Sequence, residues 1–237
     1  ILLDVSGISY VDGRGATLIY NLACNLPAIM VGTPVVKLSQ AIGPFRSPLT
    51  RAAAKLALPR MARIFARGEE TARHLAGLGL GNVSPAADLA FVLNRHEPVP
   101  APPAPVAEWL DGPGPVVGVS PSRVLADYCA ARGIDLVEIL AAVLEKLHAR
   151  TGARVLVVAH SILPPGRRSR NNDDGVCRAL YERLGDGIDA ALVVDDLSPS
   201  GLRAVIGRCD ILVAARFHAM ISALCMGVPV LVPAWSH

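Results

Sequence analysis

Short apolar runs alternate along the chain with stretches whose apolar residues return every three or four positions. That alternation is the pattern of α/β layers built on a parallel sheet, not of a sandwich or a bundle. In the first half, β-type runs at residues 1–5, 34–38, 63–65 and 82–84 alternate with helical stretches near 18–30, 48–59 and 69–78. A second series follows, with strands expected at 116–119, 154–159, 191–194, 211–214 and 228–232. Each helical stretch is the crossover between two parallel strands.

The clearest helix runs from Asp135 to Arg150. Asp135 and Glu138 have the spacing of a capping box, Gly152 follows the last turn, and Leu136, Ile139, Leu140, Val143, Leu144 and Leu147 form the face expected to pack on the sheet. Ser198 and Pro199 suit the N-cap and first turn of a helix over 200–208, and Gly227 ends the next one. Residues 97–115, EPVPAPPAPVAEWLDGPGP, are so rich in Pro and Gly that neither helix nor central strand is expected. The reading is therefore two Rossmann-like lobes with parallel sheets, over 1–96 and 116–237, joined by a linker over 97–115.

Composition sharpens this mainly by exclusion. Hydrophobic residues make up 52% of the 237 positions and aromatics 4%, so the core is aliphatic and the chain is not disordered. A net charge of +3, with bases spread along the chain, excludes a nucleic-acid coat, so any anion site is local. The five cysteines are an odd number without CxxC spacing, which argues against a disulfide framework and a structural zinc and suits a reducing cytoplasm. The apolar stretch 211–235 is interrupted by Arg216, His218, Gly227 and Pro229, so no transmembrane helix is expected. The chain opens on Ile1–Val5 without a starting Met and stops at His237 without a helical tail, the expectation for a piece truncated at both ends.

In open α/β sheets ligands bind outside the carboxyl ends of the strands. The polar residues standing there are Ser120 and Ser122, His160, Asp195 and Asp196, and Arg216 with His218. Arg216 and His218 sit where a strand turns into a helix, so two cations and the free N–H groups of a first turn can converge on a phosphate or carboxylate. For an arbitrary Arg-x-His, pairing of the arginine with a nearby carboxylate is the commoner arrangement. Apolar surroundings shift the balance, since an unpaired buried Arg is expensive. Arg67 likewise follows a β-type run and precedes a helix with Glu69 and Glu70 in its first turn; across a cleft from Arg216 it would be a second clamp.

Other candidates are weaker. Gly43 and Pro44 make a tight turn or a close backbone approach. In the run Asn171 to Asp174 one member caps a helix, and the acidic members can orient a sugar hydroxyl. Asp195 and Asp196 have no third ligand at a fitting spacing, so no metal is expected. His74, His96 and His148 are read as surface residues, and His160 is left open. No GxGxxG, Walker A, GxSxG or HExxH pattern occurs.

Taken in order, SQAIGPF (39–45), ARGEETARHLAGLGLGNV (66–83), DLAF (88–91), NND (171–173) and DDLSPSGLRAVIGRCDILVAARFHAMISALCMGVPVL (195–231) resemble the polysaccharide pyruvyl transferase family. The resemblance implies a fold similar to the two-lobed GT-B glycosyltransferases. It implies transfer of a pyruvyl group from phosphoenolpyruvate, the donor substrate, to two hydroxyls of a sugar as a ketal, with release of phosphate and no cofactor. The acceptor would be a cell-envelope or exopolysaccharide precursor, often lipid-linked, with the enzyme in the cytoplasm or touching the inner face of the membrane. Arg67 and Arg216 match the family's functional arginines, and His218 its acid/base histidine. Ser120, His160, Asn172 and Asp173 complete the expected substrate-binding set. Where the family carries an acid directly after the first arginine, this chain has Gly68. The family's glycine-containing N-terminal loop and its lysine beyond the last strand fall outside the chain.

Two other functions fit the same pattern: a GT-B glycosyltransferase using a nucleotide sugar, with Arg216 on a diphosphate, and a non-catalytic glycan-binding module. The acceptor sugar, ketal stereochemistry and oligomeric state are not legible in the sequence.

Overall fold

A computed structural model of the protein describes residues 1–93, 98–164, 169 and 171–233. The chain forms two compact units, Ile1–Phe91 and Val92–His237. Both are α/β layers on parallel sheets, as the alternation predicts.

In the first unit the order is β1 (Leu2–Asp4), β2 (Ile8–Ser9), α1 (Gly15–Met30), β3 (Val35–Ile42), α2 (Pro48–Ala57), β4 (Arg63–Arg67), α3 (Gly68–Ala76) and β5 (Val83–Ala86). The sheet runs β1-β3-β4-β5, with β2 also pairing β3. Leu18 of α1, Ala53, Ala54 and Ala57 of α2, and Leu75 of α3 share one core with Val35, Ile42, Ile64 and Ala66 of the sheet. The three helices therefore lie on the same side of it.

Under α1 the core is polar at one point. Lys37, in the middle of β3, has no exposed surface and donates to Asp4 Oδ2 at 2.5 Å and to Gln40 Oε1 at 3.0 Å. Ser9 Oγ donates to the same Gln40 oxygen at 2.6 Å, Gln40 Nε2 returns to Asp4 Oδ1 at 2.8 Å, and Asn25 Nδ2 reaches Asp4 Oδ2 at 3.0 Å. Burial disfavours charge on Asp4, but the Lys37 ammonium and the Ser6 N–H outweigh it and hold the carboxyl well below its usual range. The network sits where β1 gives way to β2 and where the β3–β4 register shifts between Lys37 and Gln40. A satisfied ion pair thus occupies the irregular part of the sheet.

The second unit comprises α4 (Ala104–Leu110), β6 (Val116–Ser120), α5 (Arg123–Ala130), α6 (Leu136–Thr151), β7 (Arg154–Val158), α7 (Asp174–Leu184), β8 (Ala190–Val193), α8 (Pro199–Ile206), β9 (Ile211–Ala214), α9 (Phe217–Cys225) and β10 (Val230–Leu231). The parallel sheet runs β10-β9-β6-β7-β8. From β6 the chain builds outward through β7 to β8, then returns through α8 to lay β9 on the other side of β6. The strand order reverses between β6 and β9, which makes that crevice the topological switch point.

Three expectations need correction. The Pro/Gly-rich stretch contains a helix, α4. Its prolines fall in the first turn, where a missing N–H removes no intrahelical bond, and Val106 and Leu110 are buried. Arg154 stacks on Trp109, 4.5 Å from the ring, and donates to the carbonyls of Leu110 and Gly112, so this segment belongs to the second unit. The expected boundary at 96/97 lies outside the described residues.

On α6 the cap is as expected in one direction, Asp135 Oδ1 accepting from Val137 N and Glu138 N, with Gly152 left-handed beyond the last turn. Glu138, however, is taken by Arg183 at 2.8 Å. The packed side is Val137, Leu140, Ala141, Leu144 and Leu147, leaving Ile139 and Val143 exposed. His74 and His148 are half-buried, with Nδ1 3.2 Å from Ile42 O and 2.9 Å from Ala153 O respectively. His96 lies outside the described residues.

Candidate functional site

In the second unit the chemistry gathers at the carboxyl ends of β6, β7 and β9. Arg216 follows β9 and occupies the N-cap position of α9, its backbone extended and its carbonyl accepting from Ala219 N and Met220 N. Its guanidinium is forked by Asp173, Nε to Oδ2 at 2.8 Å and Nη2 to Oδ1 at 2.6 Å. Asp173 has no exposed surface and also accepts from Arg123 N at 2.9 Å, the first residue of α5. Its own N–H donates to Ser161 O at 2.8 Å. One buried carboxylate thus joins the β9–α9 turn, the start of α5 and the loop after β7.

The carboxylate partner anticipated for an arbitrary arginine is present, and its geometry decides what that means. Asp173 takes the Nε/Nη2 side, and among the described residues no hydrogen bond is made by Nη1. The guanidinium is locked in plane, and among the described residues its remaining N–H edge is not taken, which suits a second planar anion. Asp173 is engaged there with the Arg216 side chain and with Arg123 N. Asn172 Oδ1 accepts from Asp174 N at 3.2 Å and so helps cap α7.

Ser120 ends β6. Its carbonyl accepts from Ala215 N at 2.9 Å, tying β6 to the turn that carries Arg216. Its buried Oγ has no hydrogen-bond partner among the described residues. Buried hydroxyls are ordinarily hydrogen-bonded, so Ser120 Oγ is an exception among the buried polar groups at the switch point. His160 follows β7 and is half-buried. Burial first, then the charges of His218 and Arg216, hold its imidazole down to about 4, so it is neutral near pH 7. His218 is exposed in the first turn of α9, its ring edge-on to Phe217 with centroids 5.3 Å apart. The switch point therefore brings together Arg216, His218, His160, Ser120 and Asp173 from loops up to about a hundred positions apart in sequence.

The first unit has its own cluster at the carboxyl end of its sheet. Arg67 ends β4, and its Nη1 lies 2.5 Å from Asp88 Oδ2, while Asp88 Oδ1 accepts from Ala90 N at 2.8 Å. Gly68 adopts φ +75, a left-handed turn that suits glycine. Gly43 adopts φ +88, and a Cβ there would meet His74 Nδ1 at 2.6 Å. His74 thereby braces the Ile42–Pro44 turn, with Phe45 edge-on at 6.3 Å.

Sequence reasoning missed Asp88 as the partner of Arg67, His74 as a brace, and Lys37. A lysine inside PVVKLSQ was the available signal for the last. Asp195 and Asp196 are exposed, and among the described residues no three His, Cys, Asp or Glu side chains stand together as a metal site. No helix among them is long and apolar enough to cross a membrane.

Residues 5–237 match the family model for polysaccharide pyruvyl transferase. No curated protein matches the chain. Among solved structures, it is similar to a putative UDP-N-acetylglucosamine 2-epimerase from Listeria monocytogenes, at 12% identity and TM-score 0.64 over 100% of this chain and 57% of that one. It is also similar to S. aureus MnaA in a co-structure with UDP, at 13% identity and TM-score 0.62 over 98% and 56%. The UDP-GlcNAc 2-epimerase of Neisseria meningitidis gives 12% identity and TM-score 0.57 over 89% and 55%. Such identities speak for a shared GT-B type fold. The chain spans a little over half the length of these proteins.

Proposed function

The chain belongs to the polysaccharide pyruvyl transferase family, and on that premise we propose that it transfers pyruvate from phosphoenolpyruvate to two hydroxyls of a saccharide as a ketal, releasing phosphate. The observation that carries this reading is the Arg216 guanidinium, held flat by buried Asp173 at the switch point with one edge left for an anion. Phosphoenolpyruvate carries a carboxylate and a phosphate, and planar bidentate recognition of either is what such an arginine does best. Arg67, in the first unit, is the second arginine assigned to the donor.

The reaction needs a proton delivered to the methylene carbon of the donor, which leaves a cationic carbon bearing the carboxylate. The first sugar hydroxyl adds to that carbon and loses its proton. The C–O bond to phosphate then breaks, and the second hydroxyl closes the ketal, its proton leaving with phosphate. His218 is assigned the proton transfers, for which an imidazole is the natural group near neutrality. His160, held neutral above about pH 4, is assigned hydrogen bonding to substrate and not proton donation. The acceptor in this reading is a cell-envelope or exopolysaccharide precursor, often carried on lipid, met on the cytoplasmic side of the membrane.

Titration calorimetry tests the donor. Saturable binding of phosphoenolpyruvate, lost in Arg216→Ala and in Arg67→Ala, is expected; binding of UDP in its place would move the assignment to a nucleotide-sugar enzyme. Phosphate release on adding an acceptor glycan separates an enzyme from a glycan-binding module, and His218→Gln is expected to abolish it.

A further inference from the structure

Bases are spread along this chain, but acids are not. Between Asp12 and Glu69 stand eight Lys or Arg and no Asp or Glu, against 15 and 20 in the remainder. Two of the eight are used internally, Lys37 in the buried network and Arg67 against Asp88. The other six, Arg14, Arg46, Arg51, Lys55, Arg60 and Arg63, are exposed. Asp12, at the edge of this region, is occupied by the backbone N–H groups of Arg46 and Ser47.

The helices of the same region are unusual on their outer side. α1 has 16 residues and no charged side chain. Its inner side buries Leu18 and packs Leu22 and Leu26, while outward it shows Ile19 (70% exposed), Tyr20 (63%) and Met30 (83%). A surface helix ordinarily turns charge toward water. Beside it, α2 buries Thr50, Ala53, Ala54 and Ala57 and turns Arg51 and Lys55 outward, one turn apart, flanked by exposed Leu49 and Leu56. The two helices pack on each other and share one core, so the apolar stripe and the basic row adjoin on one outer surface.

We propose that this outer surface of α1 and α2 docks on an anionic lipid bilayer. Aliphatic side chains at the acyl boundary, flanked by lysine and arginine at headgroup level with no acid among them, are what an interfacial helix pair requires. The charge argues against a second copy as the occupant, because two such faces would set the Arg51 and Lys55 rows against each other. A nucleic acid would want stacking platforms, and Tyr20 stands among aliphatics. The proposal deepens the acceptor half of the reading above, a saccharide carried on lipid, and rests on that half alone.

Co-sedimentation of the full chain with vesicles of phosphatidylcholine, with and without phosphatidylglycerol, tests it. Binding is expected to the anionic vesicles only and to fall as salt rises. The double variant Arg51→Glu/Lys55→Glu should weaken it about tenfold or more, given the worth of each base near such a surface. Ile19→Ser/Met30→Ser should weaken it comparably while melting like wild type, since both positions are already in water. Equal binding to neutral vesicles, no binding to anionic ones, indifference to both double variants, or capture of duplex RNA without vesicle binding would each overturn it. So would self-association that the serine variants dissolve in a chain that ignores vesicles. Phosphoenolpyruvate titration needs no vesicle, so the donor assignment and the docking surface can fail separately.

Discussion

The carboxylate of Asp173 forks the guanidinium of Arg216 across 43 positions of sequence, at 2.8 and 2.6 Å, with Asp173 wholly buried. This pairing sets two effects against each other. It cancels the charge that would draw an anion to Arg216, and it fixes the plane that lets an anion bind with two hydrogen bonds.

Asp173→Asn separates those effects. If charge dominated, removing the carboxylate would strengthen phosphoenolpyruvate binding. We expect the opposite, a loss of about tenfold or more, because a guanidinium free to rotate forfeits the bidentate geometry. Calorimetry reads the sign directly, and an affinity that rises or stays level would reduce Asp173 to a structural counter-ion.

His160 should titrate near pH 4, well below an ordinary histidine at about 6.5. The unfolded chain binds the extra proton across that interval, so folding stability contributed by this residue is complete above about 6.5 and is lost as pH falls toward 4. In Arg216→Ala one of the neighbouring positive charges is gone, and the titration should move up. Imidazole shifts followed by NMR check both statements; an unchanged value in the variant would mean that burial and His218 set it without Arg216.

Lys37→Met should destabilise the first unit by about 3–5 kcal/mol, because it leaves the Asp4 carboxylate buried without its partner. The double variant Lys37→Met/Asp4→Leu should recover much of that loss. Denaturant melts of the single and double variants measure the coupling, and additive losses would show that the pair is not one unit.

Gly68→Asp places an acid directly after Arg67, where the family resemblance leads one to expect it. At φ +75 it should cost about 1–2 kcal/mol, since an L side chain strains there. A thermal melt indistinguishable from wild type would show that the turn relaxes freely.

Local sequence determined the alternating strands and helices, the Asp135 and Ser198 caps and the position of Arg216 at a strand-to-helix turn, because periodicity and capping act over a few residues. It also marked Arg67 and His218 as candidates through their motif neighbours. The helix at 104–110 escaped that reading because its prolines sit where a helix tolerates them and its stability comes from burying Val106 and Leu110. Only the tertiary structure decided that Asp173, read from its segment as a cap or a sugar ligand, belongs to Arg216. Only it decided that Lys37 is buried, that His74 braces Gly43, and that α1 turns apolar side chains outward. Each of these depends on which distant segment a side chain meets, and strand order, which no local pattern encodes, sets that meeting.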